Sequence, residues 1–180
     1  MIFTSTKIPG VYVVDLDRRV DQRGFFARGF CAREFQDHHL TPAIAQINVT
    51  FNHVRGTVRG LHLQVAPAEE AKFLRCIQGA VFDVTVDLRP ESPTYLQWFG
   101  IELTAESGRA LYAPEGCAHG YQTLTDGAMV MYSSSAFYTP ECERGYRPDD
   151  PAFGIEWPLP ISVISDKDKS WPLFNVTRSR

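Results

Sequence analysis

The most constraining feature of the sequence is a series of short runs, rich in β-branched and aromatic residues, that are separated by turn-forming residues. The runs are VYVVDLD (11–17), AIAQINVTF (43–51), TVRGLHLQ (57–64), AKFLRCI (71–77), AVFDVTVDL (80–88), YLQWFGIEL (95–103), RALYAP (109–114), GYQTL (120–124) and AMVMYSS (128–134). This spacing is typical of an all-β sandwich or barrel. Only CAREFQDHH, at 31–39, has the pattern of a helix, and it is short. We therefore predict an all-β fold with short helices.

The clearest strand pattern covers residues 81–88. Four apolar residues alternate there with Val81, Asp83, Thr85 and Asp87, which is the period-2 pattern of a strand with one apolar face. Gln78 and Gly79 precede this run and predict a tight turn from the previous strand.

The sequence changes character after about residue 138. Prolines recur often enough to break any long regular element, at positions 140, 148, 151, 158, 160 and 172. We expect an irregular C-terminal tail that wraps around the barrel.

Length and charge limit the classes of function. A chain of 180 residues suits a single domain, which we place at 1–180. The 18 basic and 21 acidic residues leave a formal charge of −3, and the basic residues are dispersed, so we expect neither nucleic acid nor a membrane as partner.

The chain's start and its cysteines bear on its location. MIFTSTKIPG lacks the features of a signal peptide, and no apolar run is long enough to span a membrane, so we predict a cytoplasmic protein. Four cysteines without a CxxC pair (Cys31, Cys76, Cys117 and Cys142) indicate small buried side chains rather than a zinc site or disulfides.

Polar residues are unexpectedly frequent in the run TVRGLHLQ. Strict alternation places Arg59 with Leu61 and Leu63 on one face, and His62 with Gly60 and Gln64 on the other. A lone histidine in such a run is more often a hydrogen-bonded structural residue than a functional one. A second isolated histidine, His119, follows a turn formed by Pro114 and Gly116 and is expected to open the next strand.

Together these two segments resemble the paired motifs of the cupin superfamily. The matching positions are Gly56, His62, Glu69, Pro114, Gly116 and His119. Gln64 departs from the pattern, because metal-binding cupins have a second histidine there. The resemblance implies a jelly-roll barrel, and the missing imidazole weakens the case for a metal ion. We therefore predict no metal.

A narrower resemblance extends over nearly the whole chain. It rests on DQRGFF (21–26), QIN (46–48), RGLHLQ (59–64), AKFLRC (71–76), FDVTVDLRPESPTY (82–95), PEGCAHGY (114–121), FYTPECERG (137–145), GIEWP (154–158) and SDKD (165–168). In this order they resemble the dTDP-4-dehydrorhamnose 3,5-epimerase family. The resemblance implies a cupin double-stranded β-helix (a jelly-roll barrel), a homodimer, and no metal or organic cofactor. It also implies epimerisation of a nucleotide-diphosphate-linked 4-keto-6-deoxyhexose at carbon 3, carbon 5 or both.

Epimerisation beside a ketone needs two acid–base groups on opposite sides of the sugar and a group that stabilises the enolate. By resemblance, His62 is the proton acceptor and Asp168 is the carboxylate that pairs with it. Tyr132 matches the proton donor on the other face, and Lys72 the residue that stabilises the enolate. Taken singly, Lys72 is more often a surface lysine, Asp168 a capping carboxylate and Tyr132 a strand aromatic.

The same resemblance implies the substrate-binding residues. They are Arg23, Gln46, Asn48, Arg59, His119, Glu143 and Lys167, with Tyr138 stacking on the base. Arg28 is a departure, because the family usually has glutamate there, and we expect a changed nucleotide or sugar contact. If Arg59 and His62 both face the pocket, alternation must fail between them, so we predict a bulge or strong twist near Gly60.

Two other classes of function stay open. A metal-dependent cupin oxygenase or isomerase is one, with Gln64 as its unfavourable feature. A module that binds a nucleotide sugar without turning it over is the other, and the acid–base residues argue against it.

Overall fold

All but two of the described strands belong to two sheets that pack face to face. In the computed structural model, which describes residues 1–175, the first sheet has the order β1-β2-β10-β7-β12-β5. Its strands are β1 (Ile2–Ser5), β2 (Tyr12–Asp15), β10 (Ala110–Ala113), β7 (Lys72–Gln78), β12 (Ala128–Ser134) and β5 (Gln46–Asn52). The last five residues of the predicted domain, 176–180, lie outside the described residues.

The second sheet has the order β13-β6-β11-β8-β9. Its strands are β13 (Glu143–Gly145), β6 (Thr57–Gln64), β11 (Cys117–Thr123), β8 (Ala80–Asp87) and β9 (Trp98–Thr104), while β14 (Val163–Ile164) pairs in parallel with β6. A separate hairpin joins β3 (Arg19–Asp21) to β4 (Gly24–Phe26). The helices are short: α1 (Ala32–Asp37), a 3₁₀ turn (Pro140–Cys142) and α2 (Asp166–Ser170).

The apolar core lies between the sheets. Leu74 and Val130 of the first sheet meet Val81 and Leu103 of the second, all 2% exposed or less. Burying such side chains stabilises a fold by roughly 1.5–3 kcal/mol each. The predicted all-β jelly-roll barrel with short helices is confirmed. No helix within residues 1–175 has the length and apolar character needed to cross a membrane.

The C-terminal tail covers the outer face of the second sheet, as the prolines predict. Tyr146, Phe153 and Phe174 pack on one another and against the cluster that contains Leu61 and Val84. The tail also contributes β13 and β14, which flank β6. It therefore brings α2 next to β6.

Strand β8 is buried on both faces. Its apolar side lies under the tail, and the polar residues that alternate with it, Asp83, Thr85 and Asp87, are all 0% exposed. A polar stripe on a strand usually faces water, but here the barrel closes over it. Burial acts to raise the pKa of Asp87, but hydrogen bonds from Arg89, Ser92 and Thr94 outweigh it and lower the pKa to about 2.

Strand β6 is bulged at the predicted position. His62 pairs with His119 and Arg59 with Tyr121, so two residues of β6 oppose one of β11 between those pairs. Gly60 has φ +123°, and a Cβ there would lie 2.6 Å from the Cα of Gly120. The predicted placement of Arg59 beside Leu61 is therefore wrong, because the extra residue reverses the alternation.

Two smaller predictions need adjustment. Strand β11 begins at Cys117, so His119 lies inside the strand and does not open it. The turn before it is as predicted, with Gly116 at φ +77° and the Cys117 N–H donating to the carbonyl of Pro114. Of the four cysteines, all free, three are buried and Cys31 is half-buried.

Candidate active site

A cavity of about 480 Å³ opens between the two sheets, within the usual size range of small-molecule sites. Strands β5, β7 and β12 form one wall, while β6, β11, β13 and α2 form the other. Eleven of the thirteen predicted site residues line it: Gln46, Asn48, Arg59, His62, Lys72, His119, Tyr132, Tyr138, Glu143, Lys167 and Asp168.

His62 and Asp168 form a close pair on the wall of the second sheet. His62 Nε2 lies 2.6 Å from Asp168 Oδ1, and the backbone N–H of Gly60 donates to Oδ2 at 3.4 Å. Asp168 is 3% exposed, whereas the His62 side chain is 31% exposed. Burial acts to raise the pKa of Asp168, but hydrogen bonding and charge from His62 dominate, with help from Gly60 and Ser165, and the pKa is lowered.

The protonation state of the pair follows from this contact. An ionised carboxylate can only accept hydrogen bonds, so in neutral His62 the hydrogen resides on Nε2. Nδ1 then carries the lone pair. The arrangement leaves His62 able to accept a proton while Asp168 fixes its tautomer and stabilises the imidazolium.

Tyr132 stands on the opposite wall. It belongs to β12 of the first sheet, where it pairs with Leu74 and Asn48, and it lines the same cavity as His62. Burial, followed by the negative charge of Glu70, raises the pKa of the phenol. Tyr132 therefore keeps its proton at neutral pH and is able to donate it.

Lys72 reaches the cavity from the start of β7. Its Nζ lies 2.6 Å from Glu70 Oε1, and it donates to the carbonyl oxygen of His62 at 3.4 Å. The two side chains of this ion pair are only 13% and 9% exposed. A cation is thus held beside His62, where it can stabilise negative charge on a bound ligand.

Gln64 holds two loops together. Its amide donates to the carbonyls of Ala68 and Phe137 at 2.9 and 3.1 Å, and its oxygen accepts from the N–H of Thr139 at 2.6 Å. At the other cupin position, Glu69 is exposed and does not line the cavity. Residues 1–175 contain no group of three or more His, Cys, Asp or Glu side chains placed to hold a metal ion.

A second histidine–carboxylate pair lies deeper in the barrel. His119 Nε2 is 2.9 and 3.1 Å from the two oxygens of Asp83. Asp83 is 0% exposed, and burial raises its pKa while the charge and hydrogen bond of His119 oppose the shift. His119 is 8% exposed and sits directly across from His62 in the strand register.

Arg59 is held by a polar network on the cavity floor. Its Nε donates to Asn52 Oδ1 at 2.8 Å, and the Asn52 amide donates to the Tyr121 hydroxyl at 3.3 Å. Tyr121 also shares a 2.7 Å hydrogen bond with Thr50. The network orients the guanidinium, which suits it for bidentate contacts with phosphate oxygens.

The mouth of the cavity carries a polar cluster in which Glu143, whose side chain is 15% exposed, binds the more exposed Lys167 and Tyr138. Lys167 Nζ lies 2.7 Å from both oxygens of Glu143, and the Tyr138 hydroxyl donates to Glu143 at 2.8 Å. The Tyr138 N–H also donates to Gln46 at 2.6 Å. Tyr138 itself is 56% exposed, which leaves its ring available for stacking.

Arg23 and Arg28 do not line this cavity. Arg23 belongs to the β3–β4 hairpin, pairs with Asp21 at 2.5 Å and has a side chain that is 90% exposed. Arg28 pairs with Glu34 at 3.0 Å. Both arginines bind carboxylates of their own surface region rather than facing His62.

Sequence reasoning missed several residues of the site. The cavity is also lined by Thr50, Leu63, Gln64, Glu70, Leu74, Tyr121, Ser134 and Ser165. Glu70 had a usable signal, because it lies two residues before Lys72 at the start of a strand. Asp83 binds the cavity residue His119 without lining the cavity itself. It also had a signal, as a carboxylate repeated at period 2 beside apolar residues.

Fold and site together define a cupin barrel whose cavity holds a histidine–aspartate pair on one wall and a tyrosine on the other. Such a pair of groups can remove and return protons on opposite faces of a ring. Similarity to known proteins then places the chain more narrowly.

The model of the dTDP-4-dehydrorhamnose 3,5-epimerase family matches residues 5–176. A dTDP-4-dehydrorhamnose 3,5-epimerase of Sinorhizobium fredii is 40% identical over 96% of this chain and 89% of its own length. A dTDP-4-dehydrorhamnose 3-epimerase of Streptomyces niveus is 40% identical over 90% and 78%. The crystal structure of the Bacillus anthracis 3,5-epimerase with TDP and pyrophosphate bound has a TM-score of 0.92 and 35% identity, covering 96% and 99%. The chain belongs to the dTDP-4-dehydrorhamnose 3,5-epimerase family.

Proposed function

We propose that this chain is an epimerase of a nucleotide-diphosphate-linked 4-keto-6-deoxyhexose, of the dTDP-4-dehydro-6-deoxyglucose type, in deoxysugar biosynthesis. It inverts carbon 3, carbon 5 or both by removing a proton and returning one. The observation that carries the proposal is the placement of His62 and Tyr132 on opposite walls of one cavity. Family membership supports the same reaction.

In the proposed reaction, Nδ1 of His62 takes the proton from the carbon beside the ketone. The resulting imidazolium is stabilised by Asp168, 2.6 Å from Nε2. Lys72 stabilises the enolate oxygen, and loss of one such interaction typically costs about 3–4 kcal/mol of transition-state binding. Tyr132 then donates its phenolic proton from the other side, and solvent replaces the proton it has given.

The nucleotide end of the substrate is assigned to the mouth of the cavity. We propose that Tyr138 stacks on the base, while Lys167 and Arg59 bind the diphosphate. Gln46, Asn48, His119 and Glu143 are proposed as further hydrogen-bonding contacts. Support comes from their common cavity and from the relative that binds TDP and pyrophosphate.

Catalysis is proposed to need no metal or organic cofactor. The hydrogen bonds of Gln64 support this view, because its amide is engaged with three backbone groups of two loops. The competing function, a metal-dependent cupin oxygenase or isomerase, requires a bound transition metal. Elemental analysis of the purified protein, together with activity after chelation, separates the two.

The functional unit is proposed to be a homodimer of a single-domain protein. Ile47, Val49 and Phe51 of the edge strand β5 point away from the cavity and are 61, 57 and 43% exposed. An exposed apolar edge strand favours pairing with another chain, and we assign this face to a second copy. Light scattering tests this assignment: we expect wild type to be a dimer and Val49→Glu to be a monomer.

Arg23 and Arg28 gain a role in the same dimer. Both lie outside their own cavity, and the hairpin that carries Arg23 also exposes Val20, Phe25 and Phe26 at 77, 52 and 69%. We propose that the hairpin docks on the second copy and brings these arginines to its nucleotide site. Arg28→Glu is expected to change the preference between dTDP- and CDP-sugars, and an unchanged preference would count against it.

The proposed location is the cytoplasm. Three of the four cysteines are buried and all four are unpaired, which fits a reducing compartment. Cell fractionation with an antibody against the chain tests the location.

The decisive experiment incubates candidate 4-keto sugars with the protein in heavy water and follows them by proton NMR. We expect deuterium at carbon 3, carbon 5 or both, and the labelled position identifies which carbon is inverted. His62→Asn serves as the matched control and should leave the sugar unlabelled. Binding without any deuterium incorporation by wild type would favour the binding-module alternative.

A further inference from the structure

The short helix α2, which carries Asp168, is held in place by β13. That strand pairs with β6 beside His62: Gly145 is opposite His62 and Glu143 is opposite Gln64 in the strand register. Lys167 of α2 forms its ion pair with Glu143. A helix of five residues has little intrinsic stability, so its position depends on such contacts.

The second contact is made by Trp171, the C-cap residue that follows the last residue of α2. A Cβ added to Gly145 would lie 2.1 Å from Cε2 and 2.2 Å from Nε1 of the Trp171 ring. The indole thus occupies the space that any side chain at position 145 would need. Because Gly145 lies beside His62, the ring closes a chain of contacts from His62 through β13 to the end of α2.

We propose that Trp171 is a positioning residue for the His62–Asp168 pair, holding α2 against Gly145 so that the carboxylate stays within hydrogen-bonding distance of the imidazole. The inference rests on the proposed function only for its kinetic effect. The contact between Trp171 and Gly145 is one of packing, because the buried Nε1 of Trp171 has no hydrogen-bond partner within residues 1–175.

The position of Asp168 is sensitive to such an anchor. At 2.6 Å its bond to His62 has little room for displacement. A misplacement of about 1 Å in a catalytic arrangement can cost on the order of a hundredfold in rate. Loss of the indole should therefore affect turnover more than substrate binding.

The experiment compares Trp171→Ala, Trp171→Phe and Gly145→Ala with wild type. We expect Trp171→Ala to lower kcat by about tenfold to a hundredfold with KM changed little, and Trp171→Phe to recover most of the loss. Gly145→Ala should reproduce the loss by displacing the ring. In the double variant Gly145→Ala/Trp171→Ala, the losses should not multiply.

Two readouts separate positioning from a general loss of stability. Trp157→Ala removes a tryptophan that packs elsewhere in the tail, near Phe82, and should lower the melting temperature without lowering kcat. The ¹⁵N shifts of the His62 ring, assigned with His62→Asn, need no substrate. They should report hydrogen on Nε2 in wild type and a mixture of tautomers in Trp171→Ala.

An unchanged His62 tautomer in Trp171→Ala, or losses that multiply in the double variant, would overturn the inference. The absence of epimerase activity in wild type would instead count against the proposed function, while the ring shifts would still decide whether Trp171 positions the pair.

Discussion

The barrel contains two histidine–carboxylate pairs that differ in almost everything except their composition. His62 and His119 face each other in the strand register, yet Asp168 comes from a short helix of the tail and Asp83 from a central strand. The pKa of Asp168 is lowered, with bonding to His62 outweighing burial, whereas burial raises the pKa of Asp83. His62 is partly exposed to the cavity and His119 is nearly buried.

The difference supports the different tasks that we propose for the two pairs. A partly exposed imidazole with an ionised partner can exchange protons with a ligand and return to its starting state. Separating a buried pair on a central strand, or changing its charge, is costly in free energy. Such a pair therefore suits a fixed hydrogen-bonding surface. We therefore expect the two pairs to respond differently to matched substitutions.

The largest difference is expected between His62→Asn and His119→Asn. His62 is the proposed proton acceptor, and its loss should reduce kcat by about 10³-fold, because general base catalysis contributes factors of this order. His119→Asn should mainly raise KM, since the residue is assigned to binding. Steady-state kinetics of both variants measure the contrast, and an equal loss of kcat would show that both histidines take part in proton transfer.

A smaller difference is expected between Asp168→Asn and Asp83→Asn. An amide at position 168 can donate to Nε2 and so favour the wrong tautomer, and we expect kcat to fall by roughly 10²-fold or more. Asp83→Asn should reduce kcat by less than about tenfold, because we assign its partner His119 to binding rather than to proton transfer. If the Asp83 variant is the more impaired, the assignment of the two pairs must be exchanged.

The two carboxylates should also contribute to stability with opposite pH dependence. Asp168, whose folded pKa is lowered, stabilises the fold above its ordinary value of 3.8 and loses this contribution as the pH falls through the folded value. Asp83, whose folded pKa is raised, contributes stability below 3.8 that is lost as the pH rises through the folded value.

Urea unfolding of wild type, Asp168→Asn and Asp83→Asn across the acidic range measures this effect. The stability difference between wild type and Asp168→Asn should shrink below about pH 4, while wild type should lose stability relative to Asp83→Asn as the pH rises from there. Parallel curves for the two variants would contradict the assigned pKa directions.

The smallest expected effect concerns the wall opposite the two pairs. Burial is the main cause of the raised pKa of Tyr132, and Glu70 adds to it. Arg59 and Tyr121 also act on this pKa, and both stay in place in the variant Glu70→Gln. The variant should therefore move the alkaline limb of the kcat/KM profile to lower pH by less than about one unit. Glu69→Gln, an exposed neighbour, is the control, and an equal shift there would point to a general surface effect.

The sequence predicted His62 and Asp168 through the family pattern, but it could not separate Glu70 from Glu69. Spacing alone favoured Glu69, the cupin position, yet the loop before β7 turns Glu70 toward Lys72 and leaves Glu69 exposed. Asp83 shows the same limit. Its alternation was evident, but whether the polar face met water or the barrel interior depends on which strands close over it.

Local patterns thus determined the all-β class, the short helix near residue 32 and the irregular tail, because turn chemistry and period-2 alternation act over a few residues. The bulge near Gly60 was predicted from the family resemblance, which placed Arg59 and His62 in one pocket. The family resemblance predicted most of the residues that line the cavity. Only the tertiary structure decided that Trp171 packs on Gly145, that Gln64 binds loops, and that Arg23 and Arg28 lie outside the cavity. These are contacts between segments far apart in the chain, and they depend on how strands pair rather than on local propensity.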